Sequence, residues 1–163
     1  MKTVVAVLDT MWGERNARAP RYFQINPNNR SGKMLYRLVG PYRRLWVTNS
    51  CREMVNNARR HGKPDPGWLA ENLRRLKPDL VLVCGKIAQK TFREACPMKW
   101  DGCDDISIPH PAARNWSQKQ IKRISRKIEK KLGDPVEEVC MVCWEPADPD
   151  HPHKKCNRLW RIL

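Results

Sequence analysis

Leu80-Val81-Leu82-Val83-Cys84 constrains this chain more than any other segment. Five apolar residues without alternation are buried on both sides, which suits a strand inside a parallel sheet covered by helices. Its flanks agree. Lys77-Pro78 ends the preceding element, and Gly85 turns the chain into helical spacing through Ile87, Ala88 and Phe92. A second run, Thr3 to Leu8, is short, Val-rich and unbroken until Asp9. Leu45–Thr48 and Ile106–Ile108 add two shorter strands.

Helix signals fall between the strands. Ser31 or Asn29 caps a helix through Lys33, Met34, Leu35 and Leu38, closed by Gly40-Pro41. Another helix is expected after Asn49, through Val55 and Ala58. Asp65-Pro66 places an N-cap before a proline at the first helical position, ahead of Trp68, Leu69, Leu73 and Leu76. Ser117 caps a last helix whose Ile121, Ile124, Ile128 and Leu132 form a narrow apolar stripe, ended by Gly133. Strands alternating with helices predict an α/β fold: three-layer α/β/α with a central, mainly parallel four-stranded sheet. It spans residues 1–133, and residues 134–163 form a small C-terminal Cys/His metal-binding tail packed on it. The stretch from Trp12 to Arg30 exceeds a tight connection and reads as a functional loop.

Charge narrows the partner. The chain has 32 Lys+Arg against 17 Asp+Glu, a formal +15 over 163 residues. With 40% hydrophobic residues and seven Trp, this is no disordered basic tail. The charge therefore lies on a folded surface and favours a polyanion, nucleic acid first. A membrane is not expected: Val4–Leu8 is far too short to span one or to form a signal core, and no amphipathic anchor or lipidation signal is present. Around its stripe the last helix carries Lys119, Lys122, Arg123, Arg126, Lys127, Lys130 and Lys131 against Glu129. Such a run reads either as a solvated face or as a phosphate-facing one.

In a parallel sheet, ligands bind at the carboxyl ends of the strands. That rule selects the loops after Leu8, Thr48, Cys84 and Ile108, which carry Asp9, Asn49, Gly85 and His110. The tail suggests a second chemistry. Cys140 and Cys143 form a C-x-x-C, followed by His151, His153 and Cys156. Three sulfurs and one imidazole make a tetrahedral zinc set, Cys140, Cys143, His153 and Cys156, with His151 as the alternative imidazole. A loose tail with incidental cysteines is the other reading. Cys51, Cys84, Cys96 and Cys103 have no assigned role. C-x-x-C favours metal over disulfide in a reducing compartment, so a cytoplasmic protein is expected, prokaryotic or viral and acting in host cytoplasm, and monomeric.

Three segments together resemble the uracil-DNA glycosylase superfamily. They are Leu45-Trp46-Val47-Thr48-Asn49, Lys77-Pro78-Asp79 through Gly85-Lys86-Ile87-Ala88, and His110-Pro111-Ala112-Ala113. They are similar to a strand ending in T-N, a K-P-x-x-apolar-x-x-x-G-x-x-A segment and an H-P-S-type motif, in the same order and spacing. Phe23 and then Ser31-Gly32-Lys33-Met34-Leu35 resemble a base-stacking Phe followed by G-K-L-L. The first motif departs: Leu8-Asp9-Thr10-Met11-Trp12-Gly13-Glu14 lacks the leading Gly and the Pro of the superfamily loop.

The resemblance implies a DNA glycosylase that flips a base out and hydrolyses its N-glycosidic bond, the base being uracil or a modified pyrimidine. It is expected to be monofunctional, since the motifs offer no lysine for Schiff-base chemistry. Asp9, or else Glu14, would orient water, and His110 would hydrogen-bond the departing base. Phe23 or Tyr22 would stack on the base and Asn49 would read its edge. Lys86, Arg114, Lys119, Lys122 and Arg123 would hold DNA. An iron–sulfur cluster, known in some members, ranks behind zinc because their N-terminal cysteine pair has no counterpart. Bland alternatives stand beside these roles: Asp9 capping a turn, Asn49 capping a helix, Phe23 in the core. Trp116 is either a minor-groove wedge or packing. The rival functions are a DNA-binding module that holds bases or single strands without cutting, favoured by the eroded first motif, and an enzyme that acts on free nucleotides or modifies a base instead of excising it, the charge arguing against small nucleotides as the sole ligand.

Overall fold

The four apolar runs become four parallel strands, β1 (Thr3–Leu8), β2 (Arg44–Asn49), β3 (Leu80–Cys84) and β4 (Asp104–Ile108), in the order β2-β1-β3-β4. The computed structural model describes residues 2–11, 17–40, 43–56, 62–97 and 103–133. Four helices accompany the strands: α1 (Arg30–Val39), α2 (Pro66–Leu76), α3 (Lys86–Ala95) and α4 (Gln118–Leu132). The two central strands, β1 and β3, alternate between two buried environments, while β4 buries only Ile106 and Ile108. Val4, Ala6 and Leu8 of β1, with Leu80, Leu82 and Cys84 of β3, pack against α1 and α4. Val5 and Val7, with Val81 and Val83, pack against α2 and α3. The expected three-layer α/β/α architecture is what the chain adopts.

Capping chemistry sets the helix starts. Of the two candidates for α1, Asn29 is the cap, its Oδ1 accepting from the Gly32 amide at 2.7 Å. Gly32 is required there, because a Cβ would meet the Asn26 carbonyl oxygen at 2.0 Å. Asp65 caps α2 by accepting from the Trp68 amide at 2.9 Å. Ser117 and Gln120 form a reciprocal capping box on α4. The α4 stripe of Ile121, Ile124, Ile128 and Leu132 is buried as expected. Burial at about 1.5–3 kcal/mol per side chain lets so narrow a stripe hold a helix that is otherwise cationic.

One expected helix is not found. Between Asn49 and the residues before α2 the described chain forms isolated bridges in place of a helix through Val55. The Ser50 and Cys51 amides donate to the Asp9 carbonyl at 3.1 and 3.2 Å, Met54 donates to Ala17 at 2.8 Å, and Val55 to Met11 at 3.0 Å. These amides serve the loops after β1, so a helix ladder has none to draw on. Ala58 lies outside the described residues.

At the opposite end of the sheet, Arg43 is only 4% exposed. Its Nη1 donates to the Val39 carbonyl at 2.8 Å, and its Nη2 donates to the Gly133 carbonyl. One guanidinium thus satisfies orphan carbonyls at the ends of α1 and α4 and ties the two together. Arg43→Met is expected to cost roughly 1.5–3 kcal/mol, the range for a lost charge-assisted hydrogen bond. Urea denaturation measures it, and an unchanged midpoint would refute the role.

Candidate active site at the carboxyl edge of the sheet

From β1 the chain moves outward to β2, and from β3 it moves outward to β4 in the other direction. The switch point therefore lies between the carboxyl ends of β1 and β3, where open α/β sheets open a crevice. Strand register brings the four expected loops to this edge. Leu8 pairs with Asn49, Val7 with Val83, and Cys84 with Ile108. Asp9, Asn49, Gly85 and His110 thus end their strands together.

Asn49 carries the clearest signal. Its side chain extends on the α1/α4 side, two residues after Val47, and the residue is 1% exposed. Both its Nδ2 and Oδ1 are buried with no hydrogen-bond partner among the described residues. No helix starts here, so the N-cap alternative is removed. A buried amide left unpaired costs about 1–3 kcal/mol, and native structures contain few of them. An asparagine held this way presents one donor and one acceptor to any ligand edge that offers the complement.

Phe23 shares that side. It exchanges both backbone hydrogen bonds with Val47 at 2.9 Å, forming an antiparallel bridge on the outer edge of β2. Its half-buried ring packs against the α1/α4 core, on the same side of the sheet as Asn49. Tyr22 does not share it. Its ring meets Trp46 edge-on at 5.5 Å, and Trp46 packs on the α2/α3 core. Behind this loop, the Thr48 hydroxyl donates to the Arg21 carbonyl at 2.6 Å and accepts from the buried Asn72 amide at 3.3 Å.

Asp9 sits half-buried beyond β1. Its carbonyl is fixed by the Ser50 and Cys51 amides, and its Oδ1 lies 3.2 Å from the Thr10 hydroxyl. That hydroxyl also accepts from the Gly62 amide at 3.1 Å and lies 3.3 Å from Cys51 Sγ. Burial pushes the Cys51 thiol up, the Thr10 contact opposes this, and the Asp9 charge adds to it. Cys51 is therefore a protonated neighbour of the carboxylate and not a thiolate nucleophile. Thr10, Ser50 and Cys51 were not expected at the site. Their only sequence signal was adjacency to Asp9 and Asn49.

His110 follows β4 by two residues. Its Nδ1 accepts from the Ala112 amide at 3.2 Å, which leaves the ring proton on Nε2. Its carbonyl accepts from the Ala113 amide at 2.9 Å and the Trp116 indole at 3.1 Å. Trp116 thus packs on the core and braces the histidine loop, as the packing alternative has it. The loop also needs Gly85, whose φ of +89° is a glycine conformation. A Cβ there would touch His110 Cβ at 3.5 Å.

The family model of the uracil DNA glycosylase superfamily matches residues 13–132. The chain belongs to the uracil-DNA glycosylase superfamily. Comparison with curated proteins returned no match. The superfamily match includes Phe23, Asn49, Gly85 and His110, and it begins after Asp9. Asp9 therefore has its place at the edge from geometry alone, and Glu14, the other acid, lies outside the described residues.

The remaining expected residues fall into two groups. Lys86 opens α3 at the same edge, Arg114 lies on the histidine loop, and Lys119, Lys122 and Arg123 occupy the first turns of α4; all five are exposed. Cys140, Cys143, His151, His153 and Cys156 lie outside the described residues. Among the described residues no group of three or more His, Cys, Asp or Glu is placed to hold a metal. None of the described helices is long and apolar enough to cross a membrane. Cys84 is a core thiol that burial pushes far up, and burial also raises Cys96 and Cys103, which pack beside the α2/α3 core.

Proposed function

We propose that the protein is a monofunctional DNA glycosylase that removes uracil or a modified pyrimidine. Superfamily membership supports glycosylase chemistry in general. The observation that carries the finer reading is the buried, unpartnered Asn49 amide at the carboxyl edge, on the same side of the sheet as Phe23. A pyrimidine edge offering an acceptor and a donor satisfies both atoms, and its face stacks on the Phe23 ring. To reach this position the base leaves the helix stack.

Water then attacks C1′ and the C1′–N bond breaks, leaving an abasic sugar and the free base. Asp9 orients the water, accepts its proton and stabilises the positive charge on the sugar. The Nε2–H of His110 donates to the base oxygen as negative charge develops, worth about 3 kcal/mol by comparison with an oxyanion donor. Lys86, Arg114, Lys119, Lys122 and Arg123 hold the backbone around the flipped nucleotide. The test is incubation with oligonucleotides carrying uracil or modified pyrimidines, followed by alkali. Strand breaks that vanish in Asp9→Asn are expected; binding with no abasic sites on any substrate would overturn the enzyme.

That outcome is the one a non-cutting DNA-binding module predicts. The departure of the Leu8–Glu14 segment from the superfamily's first motif, with the match starting at residue 13, favours this second reading. For the tail, the proposal is a structural zinc held by Cys140, Cys143, His153 and Cys156, with zinc preferred to an iron–sulfur cluster. Metal analysis of the purified protein should give one zinc per chain, and less than stoichiometric zinc would refute it.

A further inference from the structure

The two helical layers differ sharply in charge. On the α1/α4 side the helices carry ten basic side chains and one acidic one, Glu129. On the α2/α3 side they carry five basic and two acidic, Glu71 and Glu94. Glu71 is itself paired with Arg21 and Arg75. On α4, Lys131 is engaged by Asp104, while Lys119, Lys122, Arg123, Arg126, Lys127 and Lys130 are all exposed.

This charge is positioned relative to the candidate site. Asn49 and Phe23 face the α1/α4 side, and α4 starts beside the histidine loop and runs away from that edge. Arg37 in the last turn of α1 donates to the Gln118 side chain at the start of α4 at 2.6 Å, joining the two helices. From Lys119 to Lys130 the helix axis advances about 16 Å. That is roughly the length of five steps along one DNA strand.

The geometry points to a DNA path that leaves the carboxyl edge over the α1/α4 layer, with the far half of α4 gripping the phosphate backbone several nucleotides from the flipped base. A target held only at the sheet edge makes no use of Arg126, Lys127 and Lys130. A backbone laid along α4 meets a cation on nearly every helical turn, each releasing counterions on contact. The inference rests on the DNA-directed reading above but not on catalysis. It assigns an extended, sequence-independent grip to one side of the molecule.

The test compares two triple variants of the full chain on unmodified duplex and single-stranded DNA. One is Arg126→Ala/Lys127→Ala/Lys130→Ala; the other, on the opposite layer, is Arg74→Ala/Lys90→Ala/Arg93→Ala. All six positions are exposed helical sites where alanine keeps the helix. The α4 variant is expected to bind on the order of a hundredfold more weakly at about 0.1 M salt, with the slope of log K on log salt reduced by about 2–3. The opposite variant should change little. Equal losses in both variants, or an unchanged slope in the α4 variant, would overturn the path. Unmodified DNA holds no target base, so this result stands or falls separately from the excision assay.

Discussion

Replacing Asn49 by leucine is expected to abolish excision and, at the same time, to raise the melting temperature. Leucine has the same branched shape, and its two methyl groups replace an oxygen and a nitrogen that lie buried without partners. Relieving one such penalty stabilises by about 1–3 kcal/mol. For a chain of this length each kcal/mol moves the melting point by roughly 2–4 °C. A protein does not keep an avoidable cost at a strand end unless a ligand repays it, so stability and function should move in opposite directions. Asn49→Asp separates this from a general packing effect. It places a carboxylate in the same buried position and should lower the melting point instead. Calorimetry on the three proteins decides: a leucine variant that melts below the parent would mean that Asn49 is a structural residue, and the base-reading role would fall.

Much of this arrangement was legible in the sequence because it depends on local chemistry. The β3 run, the Asp65 and Ser117 caps and the α4 stripe each follow from a few adjacent residues, and each is present in the fold. The carboxyl-edge rule then located Asp9, Asn49, Gly85 and His110 from strand direction alone. What failed depended on distant partners. The helix after Asn49 was expected from an N-cap residue and apolar spacing, but its amides are claimed by Asp9, Met11 and Ala17, which lie far away in sequence. Tyr22 and Phe23 were equivalent candidates as a sequence pair. The bridge between Phe23 and Val47 fixes which ring lies on the Asn49 side of the sheet, and a one-residue slip in that register would exchange them. The unpaired state of the Asn49 amide was equally invisible, since it depends on what every neighbour fails to offer.

His110→Ala is expected to slow excision by about 10²–10³-fold while leaving affinity for unmodified DNA nearly unchanged. The reason is timing. A donor aimed at the base oxygen stabilises charge that exists only as the C1′–N bond breaks, so its loss falls on the chemical step and not on ground-state binding. The structure adds an intermediate case. Trp116 does not need to touch the base to matter, because its indole holds the His110 carbonyl at 3.1 Å. Trp116→Phe keeps the packing and removes that one bond, so it should lower the rate by about tenfold, as expected for a small misplacement of a catalytic group. In the double variant the Trp116 effect should disappear, since a brace has nothing to position once the imidazole is gone. Single-turnover excision rates on the four proteins measure this coupling. Additive losses would show that Trp116 acts through the fold and not through the histidine, and a His110→Ala rate equal to the parent's would remove the histidine from the chemistry.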